Sequence, residues 1–315
     1  MEKSAEKTAI IQDRARALLT SGTVDVFIGY KTGSTMLRVT PCVITDANEV
    51  EALAWNAMCI NNLVATLKKY AHQRAAIVVK GCDARSLVEL IKLNQVQREQ
   101  VYIVGLPCSG ILDPKKVARK RPLTSIKAIS VQEDRIILFE GSGILACTRE
   151  ELLYDKCLTC THPNPLIADE LVGDAIDEAV THTGDKFADV EELEQLAVEE
   201  RRAFWQAELS KCTLCYACQT ICPMCFCKGC TVTLPKNDPQ RKARTPASVF
   251  SFHINRAYHM VGRCTGCLEC ERVCPVGIPL SAIFKKVEKD TQELFDYEAG
   301  VSVDDVPPLS NWKDA

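Results

Sequence analysis

The chain has 315 residues, 47% of them hydrophobic and 25% charged, and a net charge of −3. This is the composition of a globular protein of two domains or a few small ones. The slight negative charge argues against nucleic acid as a partner, because phosphate binding needs a basic surface. No apolar run approaches the roughly 18 residues that a membrane span requires.

The first residues, MEKSAEKTAIIQDRARALL, carry acidic groups and no apolar core run, so they do not read as a signal or transit peptide. Eighteen cysteines without an export signal read as metal ligands rather than disulfides. The expected compartment is reducing and cytoplasmic, and so many thiolate ligands would suit an anaerobic cell.

Residues 5–20 predict a helix and 24–29 (VDVFIG) a short buried strand. Residues 38–44 (RVTPCVI) form another strand candidate, interrupted by Pro41. Over 48–70 the apolar positions Val50, Leu53, Ala57, Ile60, Val64 and Leu67 recur every three to four residues and predict a long helix. Residues 75–79 (AAIVV) and 101–105 (VYIVG) are continuous apolar strands with a helix between them, over 85–93. That alternation is the mark of a small, partly parallel α/β sheet. β-like pieces (IKAISV, RIILFE) follow around Gly141–Gly143, and the α/β domain is expected to occupy 1–173. Residues 174–210 are acidic and helical, a solvated linker. After a polar, basic loop over 234–246, residues 247–262 predict a helix, and SAIFKKVEKDTQELF a closing one. A mainly helical domain is expected over 211–300 and a loose tail over 301–315.

Two runs stand out in the second half. KCTLCYACQTICPMCFCKGC (211–230) and RCTGCLECERVCP (263–275) each contain C-x-x-C-x-x-C-x-x-x-C-P. That spacing lets one loop wrap three thiolates around a [4Fe–4S] cubane, with the fourth cysteine reaching to the neighbouring cluster. Two intact copies outweigh a structural zinc site. With the usual crossover, one cluster takes Cys212, Cys215, Cys218 and Cys274, and the other takes Cys264, Cys267, Cys270 and Cys222. About forty residues, with a helix among them, separate the runs. This resembles the alpha-helical ferredoxins of succinate dehydrogenase and heterodisulfide reductase more than a compact bacterial ferredoxin.

Ten cysteines remain. Cys82 and Cys108 end predicted parallel strands, the rim where α/β sheets hold ligands, and Cys157 and Cys160 form a C-x-x-C. By themselves, Cys82 and Cys108 also read as buried small hydrophobes, the commoner fate of a lone cysteine, and a lone C-x-x-C as a redox or zinc pair. Residues 48–173 resemble the beta-subunit family of coenzyme F420-reducing hydrogenases and dehydrogenases, through NEVEALAWNAMCINNLVATLKKY, VVKGCD, VGLPC, and the C-x-x-C followed by IADELVG. The resemblance implies that Cys82, Cys108, Cys157 and Cys160 hold a third [4Fe–4S] cluster. It also raises a flavin such as FAD and a deazaflavin substrate. The glycine-rich segment that precedes this region in deazaflavin-reducing members is replaced here by GYKTGS (29–34), which reads better as a turn than as a phosphate cradle.

Cys42, Cys59 and Cys147 sit in apolar stretches and are expected in the core. Cys225, Cys227 and Cys230 are too dense for core packing and are candidates for ligation or for hydrogen bonding to a cluster. Lys228 is expected to raise cluster potentials by its charge. Among the histidines, His72 and His182 are isolated, His162 follows Cys160 closely, and His253 and His259 lie on different faces of one helix. No nucleophile elbow, paired carboxylate site or phosphate loop is present, so no catalytic side chain is assigned. The expected function is an iron–sulfur electron-transfer subunit working with other redox subunits of a formate dehydrogenase, hydrogenase or heterodisulfide reductase. The alternatives are a flavin-dependent oxidoreductase acting on coenzyme F420 or NAD(P)H, and a binding module with purely structural clusters.

Overall fold

The computed structural model describes residues 2–35, 37–132, 135–141, 143–181, 184–230, 232 and 244–308. His182, most of the basic loop at 234–246 and the end of the tail lie outside the described residues. The chain divides into two units, Met1–Leu87 with Leu93–Gly184, and Val88–Lys92 with Asp185–Ala315.

The first unit begins with α1 (Glu2–Thr20), whose Ile11, Ala15 and Leu18 fall at helical spacing and are buried. Strands β1 (Val26–Thr32) and β2 (Val39–Ile44) form an antiparallel pair in which Gly29 faces Cys42. Pro41 is tolerated because β2 is the edge strand.

The long helix expected over 48–70 does not form. A 3-10 turn at Ala47–Ala52 and one helical turn, α2 (Val64–Leu67), take its place. The cause is local: the Asn56 side-chain oxygen accepts from the Met58 N–H (2.8 Å), and that of Asn62 from the Val64 N–H (3.0 Å). These bonds offer the backbone an alternative to the helical ladder. Val50, Leu53, Val64 and Leu67 are buried without it, while Ala57 and Ile60 are half-buried.

β3 (Ala75–Val79) runs into α3 (Gly81–Lys92), and β4 (Val101–Gly105) follows. Every residue of β3 is buried, and each such Val or Ile contributes about 1.5–3 kcal/mol. After α4 (Pro114–Lys120), the strands β5 (Ile126–Val131), β6 (Arg135–Glu140) and β7 (Gly143–Thr148) make a separate antiparallel sheet. Short helices α5 (Arg149–Leu152) and α6 (Asp155–Leu158) lead to β8 (Glu170–Leu171). The main sheet has the order β2-β1-β3-β4-β8, parallel from β1 through β8. A partly parallel α/β sheet is therefore present, as the apolar strand runs required.

The second unit is helical. Its α7 (Ala188–Gln195) and α8 (Val198–Ser210) lie in the acidic stretch, and α9 (Ala217–Thr220) is one turn inside the first cysteine run. α10 (Pro246–His259) is capped by Thr245, whose hydroxyl accepts from the Ser248 N–H (3.1 Å). α11 (Glu269–Arg272) lies inside the second run, and α12 (Leu280–Phe295) closes the unit. α7 is tied to α12 by Lys285–Asp189 (3.0 Å) and Lys289–Glu194 (2.8 Å) ion pairs. No helix among the described residues is long and apolar enough to cross a membrane.

Candidate metal centres

In the first run the backbone takes left-handed φ values at Leu214 (53°) and Tyr216 (60°), and in the second at Gly266 (61°) and Leu268 (54°). These are the same two places relative to the cysteines: two residues after Cys212 and Cys264, and one residue after Cys215 and Cys267. A leucine or tyrosine held there is strained and persists only where the surroundings demand it. The consequence is that N–H groups turn toward sulfur. Leu214 donates to Cys212 Sγ at 3.4 Å, and Gly266 donates to Cys264.

The same bond, from the N–H two residues on, recurs at Met224 to Cys222, Gly110 to Cys108 and His162 to Cys160. The cysteines expected in the core are bonded otherwise. Cys59 accepts from Asn56, three residues before it (3.4 Å), and Cys42 from Gly29 on the paired strand. Burial pushes Cys59 up to about 12 and Cys42 up to about 11. Cys147 is also buried.

The thiols gather in three neighbourhoods. Burial raises Cys212, as do the neighbouring charges of Cys215 and Cys274. Cys218 is raised by burial and then by Cys212, Cys215 and Cys274. The structure thus brings Cys274, the last cysteine of the second run, near Cys212 and Cys218 of the first. Reciprocally, Cys264 is pushed up to about 12, by burial, then Glu288, then Cys222. Cys270 moves up through burial, with Cys222 and Cys264 adding to it. Cys267 sits on the loop between them.

The third neighbourhood lies at the carboxyl ends of β3 and β4, the ligand rim of a parallel sheet. Cys82 is in the first turn of α3, and its thiol is raised by burial, then by Asp83, with Cys108 contributing. Cys108 is pushed up to about 12 by burial, then by Cys157, with Cys160 a lesser cause. The C-x-x-C strap reaches this rim because Gly81 lacks a side chain; a Cβ there would stand 1.9 Å from the His162 carbonyl oxygen. The Cys108 N–H also donates to the Pro163 carbonyl (2.9 Å). Beneath the rim a buried Lys80–Asp83 ion pair (2.7 Å) is completed by Tyr30 and the Asn61 carbonyl. Lys80 is a charge within reach of both Cys82 and Cys108.

Among the described residues no three Cys, His, Asp or Glu side chains stand close enough for a single metal ion. That bears on a mononuclear site, not on a cubane, whose thiolates stand farther apart. The residues present fit cubanes: short loops with inward N–H groups, Cys274 beside Cys212 and Cys218, and Cys222 beside Cys264 and Cys270.

Sequence reasoning missed two residues on α10. His253 is 1% exposed, and its Nε2 lies 3.4 Å from Cys212 Sγ. Burial, then the charge of Arg256, pushes it down to about 4, so the imidazole is neutral and its Nε2 is in hydrogen-bond contact with the sulfur. Arg256 is 3% exposed; burial pulls its pKa down, but Cys222, Cys270, Cys218 and Cys225 more than offset this. Lys228, expected to supply positive charge, is exposed. The available signal was a His and an Arg at i, i+3 on the otherwise apolar face of Val249, Phe252 and Ala257. Of the C-x-C-x-x-C group, Cys225 hydrogen-bonds Cys222, which lowers the Cys222 thiol, while Cys227 is exposed. It is the backbone of His162, through its N–H and carbonyl, that serves the third neighbourhood.

Residues 72–221 match the family model for the C terminus of the coenzyme F420 hydrogenase/dehydrogenase beta subunit, and residues 208–278 match the 4Fe-4S dicluster domain. The first segment is thus similar to the F420 hydrogenase/dehydrogenase beta subunits, and it runs into the segment similar to a 4Fe-4S dicluster domain. The chain is similar to the F420-dependent formate dehydrogenase subunit beta of Methanocaldococcus jannaschii, 26% identical over 93% of this chain and 92% of the relative. It is 25% identical to the F420-dependent formate dehydrogenase 1 subunit beta of Methanococcus maripaludis, over 92% of this chain and 90% of that one. A chain of the xenon-derivatised F420-reducing [NiFe] hydrogenase complex from Methanosarcina barkeri superposes over 49% of this chain and 58% of its own. Its TM-score is 0.39 at 14% identity, too slight a likeness to bear on function. The beta-subunit segment contains Cys82, Cys108, Cys157 and Cys160; the dicluster domain contains all eight cysteines of the two C-x-x-C-x-x-C-x-x-x-C motifs. The chain is an iron–sulfur protein of electron transfer within the oxidoreductases.

Proposed function

We propose that the chain is the electron-transfer subunit of a cytoplasmic, anaerobic formate dehydrogenase complex, with three [4Fe–4S] centres. Cys212, Cys215, Cys218 and Cys274 hold the first, Cys264, Cys267, Cys270 and Cys222 the second, and Cys82, Cys108, Cys157 and Cys160 the third. The observation that carries this is the recurrent N–H bond to sulfur from two residues on, made in all three sets and not by the core thiols Cys42 and Cys59. A bound cubane supplies one-electron chemistry, with a potential set by hydrogen bonds, charge and burial. The protein's part is to donate those N–H bonds, exclude water from the buried thiolates and place His253 and Arg256 beside them. The complex type rests on the likeness over nearly the full chain to formate dehydrogenase beta subunits; hydrogenase and heterodisulfide reductase subunits are the other expected kinds of partner. Anaerobic purification from the native cell tests it: a formate-oxidising subunit should copurify, and dithionite should reduce the clusters. A chain isolated alone, with clusters dithionite cannot reduce, would speak for structural clusters instead.

A second reading makes the chain itself the site of coenzyme F420 chemistry, because its relatives are named F420-dependent. That requires a two-electron carrier such as FAD between cubanes and deazaflavin, since hydride transfer moves two electrons. The GYKTGS segment does not fit a dinucleotide cradle. Gly29 and Lys31 lie within β1, and Gly33 closes the turn to Arg38 of the β1–β2 hairpin (2.5 Å), with no helix N-terminus following. A flavin spectrum that survives cluster bleaching would favour this reading; full cluster loading without flavin favours the first.

A further inference from the structure

We infer that Arg256 is a counter-charge shared by the two cubanes of the helical unit, raising the reduction potential of both. The inference rests on the assignment of the eight dicluster cysteines above. Four observations lead to it. Arg256 is buried at 3% exposure, on the face of α10 that also carries His253. Its Nη2 donates to the carbonyl oxygen of Cys218 at 2.9 Å, and its guanidinium stacks over the Phe284 ring of α12, 4.7 Å from the centroid. The groups facing its charge are cysteine side chains rather than carboxylates, and they belong to both sets: Cys218 to the first, Cys270 and Cys222 to the second, with Cys222 hydrogen-bonded to the Arg256 side chain. Finally, its Nε and Nη1 are buried without a hydrogen-bond partner.

A buried cation without a counter-ion is strongly disfavoured, so a fold that keeps one must supply negative charge beside it. Ligand thiolates and the iron–sulfur core they bind are that charge. Adding an electron makes the cluster more negative, so a nearby fixed cation favours the reduced form and raises the potential. Exposed Lys228 is screened by water, whereas a guanidinium inside the domain is not. Because Arg256 faces ligands of both sets, its effect falls on both couples, which keeps their potentials close enough for electrons to pass either way. It is a positioning residue for the clusters and touches no substrate.

The test uses the full chain, reconstituted anaerobically, with iron content and paramagnetic resonance read beside a potentiometric titration. Wild-type protein must first show the two coupled cubanes; their absence would sink the ligand assignment rather than the role of Arg256. Arg256→Gln is expected to lower the reduction equilibrium constant of both couples about tenfold or more, where tenfold is ~59 mV for one electron. Arg256→Lys, which keeps the charge, should leave both within about threefold of wild type. Full loading of Arg256→Gln with both potentials unmoved, or with only one moved, overturns the inference. Should Arg256→Gln fail to load, Arg256→Met and Arg256→Lys decide. Loading that fails with Gln and Met and survives with Lys supports a required buried charge; failure with all three shows a packing role and overturns it. If Met loads fully, its two potentials are judged as those of Gln are.

Discussion

The two regions gather their cysteines in opposite ways. In the helical unit the proposed ligands come from two short runs, so spacing brings most of each set together, with left-handed residues at matched places bending each loop. In the α/β unit they come from Cys82, Cys108 and a strap at Cys157–Cys160, and only the parallel pairing of β3 with β4 makes them neighbours. A site of the first kind is written locally, and its loops and the helices packed on them depend on the metal for their order. One of the second kind is a by-product of a sheet that is already stable. The two units should therefore respond differently when iron is removed.

The largest effect should follow chelation. The helical unit has a buried Arg256 facing thiolates and would lose its counter-charge, a loss worth about 3–5 kcal/mol. Amide exchange is expected to accelerate across α10 and α11, while β3 and β4 stay protected. Equal loss in both units would remove the distinction.

Next in size is the double change Cys157→Ser with Cys160→Ser. It should remove about four irons of about twelve and one cluster signal, leaving the coupled pair of the dicluster domain. Loss of the coupled signal would mean the sets are wrongly grouped.

Gly81→Ala is a subtler route to the same end. The new Cβ would sit 1.9 Å from the His162 carbonyl oxygen, so the strap must shift. We expect a destabilisation of about 1–3 kcal/mol, read by urea titration, and reduced occupancy of the third site alone.

These variants also separate what the sequence made legible from what it did not. The strands over 75–79 and 101–105 were readable to the residue because a continuous apolar run has one stable use, burial in a parallel sheet. Both cysteine runs were readable from spacing. The helix expected over 48–70 failed because apolar periodicity is blind to Asn56 and Asn62, whose side chains compete for backbone N–H groups. His253 and Arg256 were missed for a related reason. A polar residue on an apolar helix face shows its purpose only when the facing group, here a thiolate, is known. The close approach of His162 to Gly81 depends on tertiary packing and leaves no mark but a glycine.

The smallest effect concerns the helices that flank the dicluster loops. Hydrogen bonds from Lys286, then Lys289, hold Glu194 down to about 2, against 4.5 for a free glutamate. A depressed carboxylate adds stability above its unfolded value and loses it as pH falls through the folded one. Glu194→Gln should therefore remove a contribution that is fully present at pH 7 and fades as pH falls from about 4.5 to about 2, flattening the stability profile across that window. The pairs are partly solvent-exposed, so the change in melting temperature should be slight. A large drop at pH 7 would mean that α7 is held to α12 by more than these charges.

The central claim, cubanes in both settings within one chain, is tested most directly by iron and acid-labile sulfide per chain in the anaerobically reconstituted full-length protein. The ligand sets predict about twelve irons and about twelve sulfides, with one magnetically isolated cluster beside a coupled pair. About eight of each, with only the coupled pair, would contradict the site at the ends of β3 and β4.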